Sequence, residues 1–221
     1  MAGFFTSIAR YFSNPLLLLA SLASGGANFI TYGLLNFATL LLMREKGMAL
    51  NEVAIYYALV VGIGMGGGIF CSGRLIDRFV GRTKSAYGTI PAASLLLALP
   101  FFLGFVWAPH WPLALLFLAV PTFLNSFFLT ATVTFVQGEV DPNQRVVAGA
   151  LLLLVMNFIG LGLGPTYVGM VSDWFRPSYG DHALQAAMYA LAPMYVIAAL
   201  LFLALARLIH MTQRRTEGPA G

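Results

Sequence analysis

The sequence predicts an all-α membrane protein of six transmembrane helices arranged as a 3+3 inverted repeat, and three observations carry that reading. Of its 221 residues, 59% are hydrophobic and 9% charged, with a mean hydropathy of +0.83. Soluble domains do not have this balance. About 20 apolar residues cross the hydrocarbon of a bilayer, and six runs of that order stand between charged or loop-like breaks, at about 16–43, 53–76, 86–107, 113–137, 146–172 and 183–206. The third observation is internal: Gly64 to Phe79 and Gly160 to Phe175 agree at six of sixteen positions, namely Gly64/Gly160, Gly66/Gly162, Gly68/Gly164, Gly73/Gly169, Asp77/Asp173 and Phe79/Phe175. Three crossings separate the copies, so they finish on opposite faces, the arrangement of inverted-repeat transporters. Chance is the competing explanation, because glycine-rich membrane helices match one another easily; the shared Asp and Phe favour repetition.

Residues 1–14, MAGFFTSIARYFSN, read as an amphipathic interfacial or linker segment rather than a signal peptide, since Thr6, Ser7 and Arg10 interrupt the apolar stretch and no small-residue cleavage site follows. Asn14 then caps a helix with Pro15 at its first position, opening the membrane unit 15–207. The first span is longer than a perpendicular crossing needs, so a tilt or a bend near Ser24-Gly25-Gly26 is expected. The second carries the first copy of the repeat. Pro91 and Pro100 fall in the third, the link APHWP turns it into the fourth, and Pro121 bends the fourth. In GEVDPNQR (138–145), Asp141 is the expected cap of the fifth span, which carries the second copy. A polar loop with Pro177, Gly180 and Asp181 leads to the sixth span, bent at Pro193, and 208–221 is a polar tail.

The +4 net charge fits a membrane better than nucleic acid, and no nucleic-acid partner is expected. With the amino terminus inside, nine basic residues (Arg10, Arg74, Arg78, Arg82, Lys84, Arg145, Arg207, Arg214, Arg215) fall on inner segments against three outside (Arg44, Lys46, Arg176). That is a positive-inside bias with both termini cytoplasmic; the expected location is the plasma membrane, a bacterial inner membrane. Trp107, Trp111 and Trp174 then fall at the outer boundary as an aromatic belt. The single cysteine, Cys71, is expected to be a small buried hydrophobe.

Gly64/Gly68 and Gly160/Gly164 are small-xxx-small pairs that let another backbone come close. Whether they form contacts that repack during a cycle or static packing is open. Polar residues at bilayer depth mark the candidate solute path: Asn28, Thr31, Tyr32, Asn36 and Thr39 share one face of the first span, and Thr122, Asn125 and Thr132 one face of the fourth. Interhelical hydrogen bonding is the alternative role, and it is the one expected of Asn157. None of the eight acidic residues lies in the middle of a span, and His110, His182 and His210 sit in loops or at helix ends. No buried proton carrier, metal site, cofactor site or enzyme centre is expected; His182 beside Asp181 reads as a solvated pair.

The stretch Gly73-Arg74-Leu75-Ile76-Asp77-Arg78-Phe79-Val80-Gly81-Arg82-Thr83-Lys84 resembles the G-x-L-x-D-R-x-G-R-R signature of the major facilitator superfamily, with Val80 as an extra residue ahead of Gly81. Gly160 to Gly169, including Pro165, resembles that family's eleventh helix, and the order of features along the chain is similar to its second six-helix half. Phe175 to Leu184 resembles spinster-like bacterial members. The resemblance implies half of a twelve-helix fold that transports a small organic solute, amphipathic solutes included, by alternating access between two halves. It implies a bilayer, a small-molecule substrate, and a complementary six-helix half or second copy as partners. It also implies that the loop with Gly73, Asp77, Arg78, Gly81, Arg82 and Lys84 latches onto a neighbouring helix end, for which Asp141 to Arg145 is the candidate. A truncated or split carrier, a homodimer, and a non-transporting membrane fragment or assembly subunit are the readings left open.

Overall fold

Asn14 accepts a hydrogen bond from the Leu16 amide (2.9 Å) and Pro15 takes the first helical position, so the chain breaks cleanly between α1 (Ala2–Ser13) and α2 (Pro15–Arg44). The computed structural model describes the backbone of residues 2–216 and the side chains of 7–214, and every regular element in it is helical. After α2 come α3 (Leu50–Val80), α4 (Ala86–Trp107), α5 (Trp111–Gly138), α6 (145–179), α7 (Ala183–Tyr189) and α8 (Ala192–Thr216). Among the described residues, five continuous helical stretches are long and apolar enough to cross a membrane, the fifth and sixth expected spans being joined in the last, Pro142–Arg214, which reverses at Gly180, whose φ of 53° suits glycine, so that α7 packs back on α6. This is a multi-pass membrane protein.

Tyr11 is 3% exposed and fastens α1 to the bundle. Its hydroxyl lies 2.7 Å from Ser21 Oγ, and because the Ser21 hydroxyl donates to Leu17 O, Tyr11 is the donor. α2 runs unbroken through Ser24-Gly25-Gly26, where the glycines admit Ile159 of α6 and Ala198 of α8 rather than interrupting the ladder. The helices meet at such close approaches elsewhere. Gly64 and Gly68 of α3 lie against Thr122, the Phe123 carbonyl and Ser126 of α5, and Gly160 and Gly164 of α6 lie against Asn28, Phe29 O and Gly33 of α2. Gly88 of α4 lies against the α8 backbone at Phe202 and Ala206. Tyr195, Phe102, Phe105, Phe135 and Phe202 fill the centre, with Phe102 and Tyr195 ring centroids 5.1 Å apart.

Several expectations need correction. Only 17% of the apolar window of α3 is buried, against 56% for α5, so α3 is peripheral and its Cys71 is exposed, not buried. Asp141 makes no side-chain cap; Pro142 offers no amide there, and the Gln144 amide goes to the Asp141 backbone oxygen (2.8 Å). Pro177 does not stop α6, which continues to Tyr179. α5 is interrupted one turn past Pro121, by a turn at Asn125 and Ser126. Residues 217–221 of the expected tail lie outside the described residues.

Candidate functional site

A recess of about 160 Å³ opens where α2, α3, α5 and α6 meet. α2 supplies Asn28, Thr31 and Tyr32, α3 supplies Met65 and Ile69, α5 supplies Ser126, Phe128 and Leu129, and α6 supplies Met156 and Asn157. Asn28 sits thirteen residues into α2, about 20 Å along the helix at 1.5 Å per residue, which is bilayer depth. Its amide donates to Met156 O at 3.0 Å, just ahead of the π-helical turn Phe158–Leu163. Thr31 and Asn157 donate to the carbonyls four residues before them, Ala27 (2.9 Å) and Leu153 (2.9 Å). Asn36, exposed one turn beyond Tyr32, donates to Tyr32 O at 2.8 Å, and Thr39 is half-buried on the same side. The polar stripe of α2 therefore runs from the recess towards one end of the helix.

The α5 residues expected to share this path do not reach it. Thr122 donates to Leu118 and Ala119 carbonyls, Thr132 donates to Phe128 O, and Asn125 donates to Tyr195 OH at 3.0 Å; all three are buried. Ser126 takes their place at the recess, because the turn at Asn125 and Ser126 rotates the second half of α5. Asn157, expected only in packing, lines the recess as well. Of the packing glycines, Gly169 faces Phe37 of α2 loosely, and Pro165 is half-buried behind Gly164.

At the basic end, α3 stays helical through Val80 and Gly81 is its cap, so the extra residue is absorbed as one more helical position. Gly73, Asp77 and Arg78 are thus helical, and Arg82 and Thr83 turn back with their amides on Phe79 O (3.0 and 3.1 Å). Asp77, Arg78, Arg82 and Lys84 are exposed, and among the described residues no hydrogen bond or ion pair joins them to Asp141 or Arg145. The latch contact implied by the family resemblance is therefore not made in this conformation.

The opposite end holds a cluster that sequence reasoning missed. Val106 O at the close of α4 accepts from Lys46 Nζ (2.9 Å) and from Gln185 Nε2 (2.8 Å). Glu45, with its side chain 5% exposed, accepts from the Gln185 amide (3.0 Å) and lies 3.4 Å from His182 Nδ1. His182 thus pairs with Glu45 and not with its neighbour Asp181. Burial holds the Lys46 ammonium below its ordinary pKa, and the attraction of Glu45 partly offsets this. Two adjacent charged residues in a short loop were the only signal, and their partners lie 60 and 140 residues away.

No family model matches the chain. It is 35% identical over 182 residues to an MFS-type efflux pump of Mycolicibacterium smegmatis, an alignment covering 80% of this chain and 42% of the pump. Its fold superposes on the crystal structure of a bacterial homologue of the human lysosomal transporter Spinster in an inward-facing, unoccupied conformation, with a TM-score of 0.85, 25% identity, and coverage of 95% of this chain and 51% of that one. The occupied inward-facing form of such a homologue gives a TM-score of 0.82 at 24% identity. The chain spans about half the length of the proteins it matches.

Proposed function

This chain is a major facilitator superfamily homologue with the fold of half a transporter, and from that premise we propose that it moves a small organic solute, amphipathic solutes included, across a bacterial inner membrane by alternating access, as the second half of such a carrier. The observation that carries the proposal is the recess at bilayer depth, where Asn28, Thr31, Tyr32 and Asn157 bring polar groups together among apolar walls. The 3+3 inverted repeat is part of the reading. Exchanging α2 with α5, α3 with α6 and α4 with α7–α8 turns the α2–α6 crossing into the α5–α3 crossing, and each is made by two glycines on the second partner. In this reading Asp77, Arg78, Arg82 and Lys84 close onto Asp141–Arg145 in another conformation, and both termini are cytoplasmic.

The recess is closed on one side by this chain alone, so the proposal requires a complementary six-helix half or a second copy to complete it. A non-transporting membrane component is the second reading, favoured by the hydrogen bonds that already occupy Asn28 and Asn125 within the bundle. Thiol accessibility separates the two. With Cys71 replaced by Ser and Tyr32→Cys introduced, a membrane-impermeant maleimide should label the assembled carrier from either side of the membrane. Labelling from neither side would leave the packing reading standing.

A further inference from the structure

α3 and α4 both rest on α5 but diverge from each other. Gly64 and Gly68 draw α3 onto α5, whereas Gly88 draws α4 onto α8 and Gly104 admits Phe117 of α5 at the far end. Between them runs an open apolar channel in two compartments that share Leu97 and Leu124. The one beside the basic loop, of about 520 Å³, is walled by Phe79, Thr83, Ile90, Ala93 and Leu97 over Phe127. Of its three hydroxyl residues, Thr83, Thr89 and Ser94, the buried Ser94 donates to Pro91 O at 2.9 Å, and the walls are otherwise apolar, so they offer a ligand few hydrogen bonds.

We propose that this compartment is a binding site for an anionic glycerophospholipid, with an acyl chain in the channel and the phosphate at Arg78, Arg82 and Lys84. Length fits: Ala86 to Leu97 spans about 16 Å of helix, against about 15 Å for one leaflet of hydrocarbon. Charge fits as well. Thr83, at the mouth, is flanked by Arg82 and Lys84, and Phe79 by Arg78; all three cations are exposed, and none has an ion-pair partner among the described residues. Two carboxylates act at this end, Asp77 within the run and Glu139 from the close of α5, both near Tyr87, so the three cations still leave the mouth net positive.

The channel also lies away from the solute recess. Met65 and Ile69 face the recess while Ile63 and Gly67 face the channel, two residues earlier in each case and so about 200° around α3. A complementary half seated over the recess leaves the channel open to lipid, which makes the occupant independent of the transport reading.

Native mass spectrometry of the purified full chain, titrated with phosphatidylglycerol or phosphatidylcholine of identical acyl chains, tests the assignment. The expected result is a one-to-one phosphatidylglycerol adduct at least tenfold tighter than phosphatidylcholine. Replacing Arg78, Arg82 and Lys84 together by Gln should erase that preference, since a basic residue near a membrane surface contributes on the order of fivefold. Ala93→Trp, which fills the channel from an exposed position, should abolish both adducts, and Thr89→Trp on the same wall serves if that variant fails to fold by circular dichroism. Leu116→Trp, lipid-exposed elsewhere, should change nothing. Equal retention of the two lipids by the unmodified chain, or a preference that survives the triple Gln variant or the Trp variants, would overturn it.

Discussion

The amide of Asn28 donates to Met156 O at 3.0 Å, and Gly160, four residues further along α6, lies against the same Asn28 side chain. A β-carbon at Gly160 would sit 2.5 Å from Asn28 Nδ2 and 2.7 Å from its Cβ, so glycine and asparagine are mutually dependent. Asn28→Ala should lower stability by about 1 kcal/mol, the usual worth of an interhelical hydrogen bond in a membrane. Gly160→Val should cost more, since it displaces a helix as well as breaking the bond. Thermal unfolding in detergent checks both, and the double variant should lose less than the sum because the two changes remove one contact.

Gly66 and Gly68 are two residues apart with opposite surroundings. A β-carbon at Gly68 would collide with the Phe123 carbonyl and Ser126, while Gly62 and Gly66 have nothing within 4 Å. Gly68→Val should therefore abolish a folded, monodisperse chain. Gly66→Val should leave the purified chain's melting temperature unchanged, and any effect should appear only when a partner half is supplied. Size-exclusion profiles and melting curves distinguish these outcomes.

Lys46 provides a pH dependence. A lysine held below its ordinary pKa of 10.5 binds fewer protons folded than unfolded, so stability rises with pH as the medium approaches 10.5 from below. Lys46→Met should remove that slope. It should also lower stability at neutral pH, because Gln185 still satisfies Val106 O but the buried Glu45 carboxylate loses the neighbouring positive charge. Melting temperatures from pH 7 to 10 for both chains test the sign; a wild-type stability that falls as pH rises through this window would contradict it.

Asp77 and Asp173 occupy matching places in the repeat, and both are exposed without an ion pair among the described residues. Only the Asp77 end carries the basic run Arg78, Arg82 and Lys84. If that end latches in another conformation, Asp77→Ala should reduce flux of the assembled carrier on the order of tenfold, the scale of a typical coupling energy, while Asp173→Ala has little effect. Equal losses would count against a specialised end.

Apolar run length agrees with α2 to α5 and Asn14-Pro15 with the start of α2, because both signals are local, but the sixth run, 183–206, is broken by a turn at Ala190 and Leu191. The recess was only half legible. Asn28, Thr31 and Tyr32 were found from spacing on an unbroken helix, but the same logic failed on α5, where the turn at Asn125 and Ser126 resets the face and exchanges Thr122, Asn125 and Thr132 for Ser126. The π-helical turns Val53–Tyr57 and Phe158–Leu163 leave no compositional trace, and Glu45, Lys46 and Gln185 meet only through the tertiary fold. The position of Cys71 was misread because periodicity does not say which helix is peripheral.

The central claim is that this chain forms half of a carrier, and solute flux into proteoliposomes tests it most directly. The chain should be reconstituted alone and together with a complementary six-helix half, against a panel of small organic solutes. Flux above protein-free vesicles that requires the complementary half, or that accompanies a self-associated form of this chain, is the expected result. A chain that remains monomeric and gives no flux with or without the partner would contradict the claim.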